Sequence, residues 1–167
     1  VIVRLSQRQH SDPTADVEGF DAAAKAAILA SLAFHTRVTG ADVYREGITE
    51  ISDQDISSAH DLGYVVKLLA VAEGQDGEVA VRVHPAMIPV QHPLASVRES
   101  FNALFIEGDA VGELMLYGRG AGGGPSASAV LGDLIDAAKN FASGGKGATI
   151  GTLSKQRIRP IDELESQ

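Results

Sequence analysis

Tyr64-Val65-Val66-Lys67-Leu68-Leu69-Ala70-Val71-Ala72, then Glu73-Gly74-Gln75-Asp76-Gly77, then Glu78-Val79-Ala80-Val81-Arg82-Val83-His84-Pro85 is the stretch that decides the fold. Its first part is apolar and rich in β-branched residues, its middle is turn chemistry, and its last part alternates with period two. Together they read as a β-hairpin with one solvated strand face. Lys67 lies among apolar neighbours, so its side chain is expected to run outward, stem packed and ammonium in water. Pro85, Pro89 and Pro93 are expected to break regular structure after it.

Downstream, a short helical turn through Ala95-Ser96-Val97-Arg98 precedes a second hairpin. Its strands are Asn102 to Glu107 and Glu113 to Gly118, joined by Gly108-Asp109-Ala110-Val111-Gly112. Upstream, Ser52 with Asp53 and Asp55 behind it reads as an N-cap with acids in the first turn of a helix. That helix runs to about Leu62 and is closed by Gly63. Val43 to Arg45 and Gly47 to Ile51 read as a connection. Before them, Ala26, Ala27, Ile28, Leu29, Ala30, Leu32, Ala33 and Phe34 mark a long helix, read as a buried scaffold that ends near His35 to Val38 with Gly40 as its stop. Val1 to Leu5 alternates like a short strand. Hairpin beside hairpin with helices around them gives an α+β fold, a mainly antiparallel or mixed sheet of hairpins covered by helices.

The chain has 167 residues, the size of one domain with a real core. Acidic residues outnumber Lys and Arg, 22 to 14, without a basic cluster, which argues against a nucleic-acid partner. There is no cysteine, which removes thiolate nucleophiles, disulfides and cysteine metal sites. Nothing resembles a membrane span or a signal peptide, so a soluble cytoplasmic protein is the expectation. His10, His35, His60, His84 and His92 contain no pair at i,i+4, and neither His-Glu-x-x-His nor Gly-x-Ser-x-Gly occurs. Zinc and a Ser-His-Asp hydrolase are both disfavoured. His84 and His92, each before a proline, read as turn residues.

Two stretches carry chemistry. The first is Asp12-Pro13-Thr14-Ala15-Asp16-Val17-Glu18-Gly19-Phe20-Asp21-Ala22-Ala23-Ala24-Lys25. Asp21 and Lys25 share one helix face, Gly19 lets a neighbour pack close to the backbone, and Asp16 stands at or before the helix start. An i,i+4 Asp-Lys pair is most often a surface ion pair worth a few tenths of a kcal/mol. At the mouth of a rigid buried helix it is also a good place for a proton-transfer group. The second is Gly118-Arg119-Gly120-Ala121-Gly122-Gly123-Gly124-Pro125-Ser126, opening a helix through Ala129 to Phe141. It presents backbone amides to an anion or cofactor, or is simply a tight turn with Pro125 at the helix start. It is neither the Rossmann Gly-x-Gly-x-x-Gly nor a P-loop. Residues 143–167 read as a linker, with a possible short strand at Thr149 to Leu153.

The string Asp-Pro-x-x-Asp-x-x-Gly-x-Asp-x-x-x-Lys resembles the substrate-binding segment of homoserine dehydrogenases. Tyr117 through Leu134 resembles their Gly-x-Gly-Ala-Gly stretch, and the resemblance runs over roughly residues 12–160. It implies that Lys25 transfers the proton, that Asp21 binds substrate and that Asp16 supports the site. A depressed Lys25 pKa in a partly desolvated site is expected with that role. Gly122 and Ser126, with Gly120 close by, would lie on the cofactor side. The family has a substrate-contacting Glu six residues before the Asp matched by Asp16, where this chain has His10. The implied cofactor is NADP or NAD, and the implied reaction interconverts L-homoserine and L-aspartate 4-semialdehyde in threonine, methionine and isoleucine biosynthesis. The implied assembly is a homodimer or higher homo-oligomer formed through the sheet. On this resemblance, residues 12–142 are a catalytic and dimerisation domain, with 118–141 returning toward a nucleotide-binding domain and residues 1–11 unmatched. The alternative from another class is a non-catalytic α+β oligomerisation or effector-binding module.

Overall fold

The computed structural model describes residues 2–4, 14–98, 101–120, 122–145 and 156–163. Among them runs one seven-stranded sheet in the order β2-β4-β3-β1-β5-β6, with β7 also paired to β4. At its centre are β3 (Tyr64–Gln75) and β4 (Glu78–Pro89), paired antiparallel along their whole length. Asp76 and Gly77, at φ 52 and 79, form the two-residue left-handed turn whose twist matches that of the flanking strands. The hairpin is therefore longer than its apolar pattern: Glu73 to Gln75 still pair, and β4 runs on through Pro85 to Pro89.

The prolines do not end β4, and the reason is the direction of their nitrogens. Val79 and Val83 turn their carbonyls to the outer edge, where Arg159 N and Glu46 N each donate at 2.8 Å. Pro85 and Pro89 share that parity, and the outer neighbours β7 (Arg157–Ile158) and β2 (Tyr44–Arg45) pair only at Glu78–Val79 and Arg82–Val83. The missing N–H groups thus fall on an unpaired stretch of edge.

Both faces of this hairpin are covered, not one. Leu68, Ala70, Ala72, Val79, Val81 and Val83 pack under helix α2 (Phe20–Phe34). Leu69, Val71 and Ile88 face the other way, onto Leu94, Val97, Ala103 and Phe105. The polar residues on that second face are absorbed by pairing: Arg82 donates to Glu73 at 2.8 Å, and His84 is half-buried within the strand rather than in a turn. Lys67 does not run outward; its Nζ donates to the Val97 carbonyl at 3.1 Å. His92 is the turn residue expected, capping the 3-10 turn Pro93–Ser96 through Nδ1.

Helix α2 buries a row of alanines, Ala22, Ala23, Ala26, Ala27 and Ala30, which lets it lie close to the sheet. Its larger apolar residues Phe20, Ile28 and Leu32 are exposed, so it is a scaffold buried on one face only. It ends at His35 (φ 50), not Gly40, and Ser31 Oγ accepts from Val38 N at 2.9 Å. Helix α3 (Asp53–Asp61) has the expected N-cap, Ser52 Oγ accepting from Asp55 N, and Asp55 accepts in turn from Ser52 N to complete a capping box. The Ser52 hydroxyl, donating to Asp55 Oδ2 at 2.6 Å, and then the Ser52 N–H hold the Asp55 carboxyl below its usual range. Gly63, at φ 82, closes the helix as read.

The second hairpin is β5 (Phe101–Gly108) and β6 (Gly112–Arg119). Strand β1 (Ile2–Arg4) joins the hairpins, pairing antiparallel with both β3 and β5. Helix α4 (Gly123–Ala142) follows and buries none of its residues. The expected strand at Thr149 to Leu153 lies outside the described residues, as do His10 and Asp12. None of the helices is long and apolar enough to cross a membrane among the described residues.

Candidate active site

Asp16 belongs to the single turn α1 (Thr14–Val17), and Asp21 to the first turn of α2. Between them Glu18 and Gly19 reverse the chain. Gly19 is buried at φ 75, where an added Cβ would meet Val83 Cγ1 at 3.1 Å. This corner is tied down from outside. Arg45 Nη1 donates to the Glu18 carbonyl at 2.5 Å while its guanidinium lies 3.5 Å from the centre of the Phe20 ring. Thr49 Oγ1 donates to Glu18 Oε1 at 2.7 Å and Ile48 N to the Val17 carbonyl at 2.8 Å. Strand β2 and its following loop thus set the angle between α1 and α2, and with it the placement of Asp16 relative to Asp21.

Lys25 Nζ donates to Asp21 Oδ2 at 2.6 Å, with the two side chains 46% and 41% exposed. The i,i+4 spacing has produced the ion pair, and the pair is open to water. Beyond Lys25, a cleft of about 540 Å³ opens between α2 and the second hairpin. Lys25, Ile28 and Leu29 form one wall, Asn102, Leu104 and Leu116 the other, and Gly118 to Gly120 the end. The fold therefore brings two motifs, far apart in sequence, to one opening.

The remaining expected residues fall around the cleft rather than in it. Asp21, bonded to Lys25, and Asp16 are not among the residues that line it. Gly122 (φ 135) caps α4, and Ser126 N donates to its carbonyl at 3.0 Å, so both belong to the helix start just beyond Gly120.

Asn102 is a cleft residue that sequence reasoning missed. Its amide lies so close to Gly120 that a Cβ there would collide with it. The available signal was an asparagine inside the apolar strand Phe101-Asn102-Ala103-Leu104-Phe105, a position where asparagine is disfavoured.

Chemically, the cleft offers an ammonium that is able to give or take a proton, an amide, exposed main chain and apolar walls. A Cβ on Gly118 would project into open space, so the main chain is bare there, with the Asn102 amide beside Gly120. Among the described residues no group of three or more His, Cys, Asp or Glu is placed to hold a metal.

The homoserine dehydrogenase family model matches residues 6–135. The homoserine dehydrogenase of Corynebacterium glutamicum is 56% identical over 162 residues, covering 94% of this chain and 36% of that protein. That of Mycobacterium tuberculosis is 52% identical over 162 residues, covering 94% and 37%. The crystal structure of a homoserine dehydrogenase from Thiobacillus denitrificans superposes with a TM-score of 0.86 at 36% identity, covering 93% of this chain and 37% of that one. A hyperthermophilic archaeal homoserine dehydrogenase mutant in complex with NADPH superposes at 0.62 with 31% identity, covering 79% and 36%. The chain spans 36% to 37% of the length of these curated relatives.

Proposed function

The chain belongs to the homoserine dehydrogenase family, and from that premise we propose that it supplies the substrate site and the proton-transfer lysine of an NAD(P)-dependent oxidoreductase. The reaction interconverts L-homoserine and L-aspartate 4-semialdehyde, a step toward threonine, methionine and isoleucine. The observation that carries this reading is the shared cleft, with Lys25 on one wall and Gly118 to Gly120 at its end.

In this mechanism Lys25 gives a proton to the developing alkoxide in the alcohol-forming direction and takes it back in the other. Asp21, bonded to Lys25 at 2.6 Å, holds the ammonium and receives the polar groups of the substrate. Asp16 orients a water or Lys25 itself from across the Gly19 corner. The main chain at Gly118 and Gly120, with Gly122 and Ser126 at the start of α4, would hold the nicotinamide side of NADP or NAD. The bound dinucleotide supplies the hydride. Ile28, Leu29, Leu104 and Leu116 give the walls an apolar surface.

The exposure of Lys25 means that desolvation of the lysine must come from substrate, cofactor or protein outside the described residues. With this reading go a catalytic and dimerisation role for residues 12–142 and a cytoplasmic setting, with 143–167 as a tail of which Arg157–Ile158 is strand β7 of the sheet. Homo-oligomer formation through the sheet goes with it too, since β6 ends the strand order and its outer backbone edge has no strand partner among the described residues. The solvated Asp21–Lys25 pair also suits a second reading, a non-catalytic module of the same fold.

The deciding experiment is NADP- and NAD-linked oxidation of L-homoserine by the longest natural product of the gene, beside its Lys25→Ala variant. Turnover in the parent and none in a folded variant supports the enzyme and the residue together. No turnover in either selects the module.

A further inference from the structure

We propose that Asn102 is a positioning residue for this cleft, a role that rests on the dehydrogenase reading and deepens it. In the β5–β6 ladder Asn102 stands opposite Gly118, so its side chain comes off the same face as Leu104 and reaches past a residue with no side chain. Its amide then lies against Gly120, in the volume a Cβ would need.

Glycine at 120 is not explained by backbone conformation. The positive-φ glycines include Gly112 and Gly122 but not Gly120. What occupies the space a side chain would take there is the Asn102 amide, which lies beside the main chain. Conversely, what accounts for an asparagine inside an apolar strand is this contact at the end of the Lys25 cleft. The two residues form one device: Asn102 holds Gly120, just past the end of β6, in place, and so sets how far Gly118 to Gly120 stand from Lys25. A site that is loose by about 1 Å can lose on the order of 10²-fold in rate, so such a brace matters to turnover more than to folding.

The test is a double-mutant cycle in the full-length enzyme, with Asn102→Ala, Gly120→Ala and the combination. Asn102→Ala is expected to lower kcat and raise the KM for the dinucleotide, each on the order of tenfold, while the KM for homoserine and the unfolding midpoint change little. Gly120→Ala pushes the amide aside and should reproduce that pattern. The double variant should be no worse than either single one, because the added Cβ occupies the vacated space. Losses that multiply in the double variant, or a fall in Tm that accounts for the lost activity, overturn the proposal. A parent that does not oxidise homoserine overturns the dehydrogenase reading instead. The coupling of Asn102 to Gly120 is then read from unfolding midpoints, where independent effects of the two substitutions overturn the brace as well.

Discussion

Lys25 and Asp21 meet across one turn of α2, Nζ to Oδ2 at 2.6 Å, in a position open to solvent on both sides. Exposed pairs of this kind contribute about 0.2–1 kcal/mol, so the fold does not depend on them. Activity should. Lys25→Ala in the full-length protein is expected to lower kcat by about 10²- to 10⁴-fold, the span of general acid–base catalysis. Its unfolding midpoint should stay within a few degrees of the parent. Lys25→Arg keeps the ion pair but cannot release a proton near neutral pH, and should be equally inactive. An active Arg variant would remove the proton-transfer role.

Gly19 is a different case, since its backbone and its surroundings both exclude a side chain. At φ 75, with Val83 Cγ1 3.1 Å from an ideal Cβ, Gly19→Ala should cost about 1–3 kcal/mol of stability. Urea unfolding reads the loss. Because this corner separates Asp16 from Asp21, the same variant should raise the KM for homoserine more than that for the dinucleotide. Equal stability in the variant would show that the corner relaxes without cost.

Acid should loosen the sheet at a defined place. The hydrogen bond from Arg82 holds the Glu73 carboxyl below its ordinary value against the opposing effect of burial. A carboxylate whose folded pKa is depressed adds stability above its unfolded pKa of 4.5, and that stability is lost as pH falls through the folded value. Unfolding midpoints should therefore decline on acidification below about pH 5, and Glu73→Gln should flatten part of that decline. An unchanged slope in the variant would assign the acid sensitivity to other carboxylates.

Where each interaction is local in sequence, it was legible. The Ser52 N-cap, the Gly63 stop, the Asp21–Lys25 pair and the second hairpin all depend on residues close together in the chain. What failed to show depends on partners that sequence distance hides. Pro85 and Pro89 look like strand breakers until β4 is known to have an unpaired outer edge beyond Val83. Lys67 looks like a snorkelling surface residue until the Val97 carbonyl, thirty residues later, is folded against it. The end of α2 near His35 was read correctly, but not its φ of 50, a left-handed position at which glycine is the usual signal. The motifs at Lys25 and Gly120 were legible separately. Their meeting at one cleft was not, because it is made by the packing of α2 beside the β5–β6 hairpin, and Asn102 acquires meaning only from that meeting.

Helix α4 gives the last prediction. It runs twenty residues from Gly123 to Ala142 with none of them buried, and Phe141 is 89% exposed. Leu131, Leu134 and Ile135 line one stripe at i, i+3 and i+4, so its apolar face is ordered yet covered by none of the described residues. A helix without tertiary packing is marginal in water, and Gly132 inside this one weakens it further. In the 167-residue chain, the amides of α4 should exchange with solvent orders of magnitude faster than those of Ala70 or Val81, which lie in the doubly covered centre of the sheet. Leu134→Glu should leave the unfolding midpoint nearly unchanged, whereas Val81→Ala should lower it, since only the second opens a cavity. Exchange in α4 as slow as in β3 and β4 would mean that the stripe is covered in solution, and Leu134→Glu should then speed it.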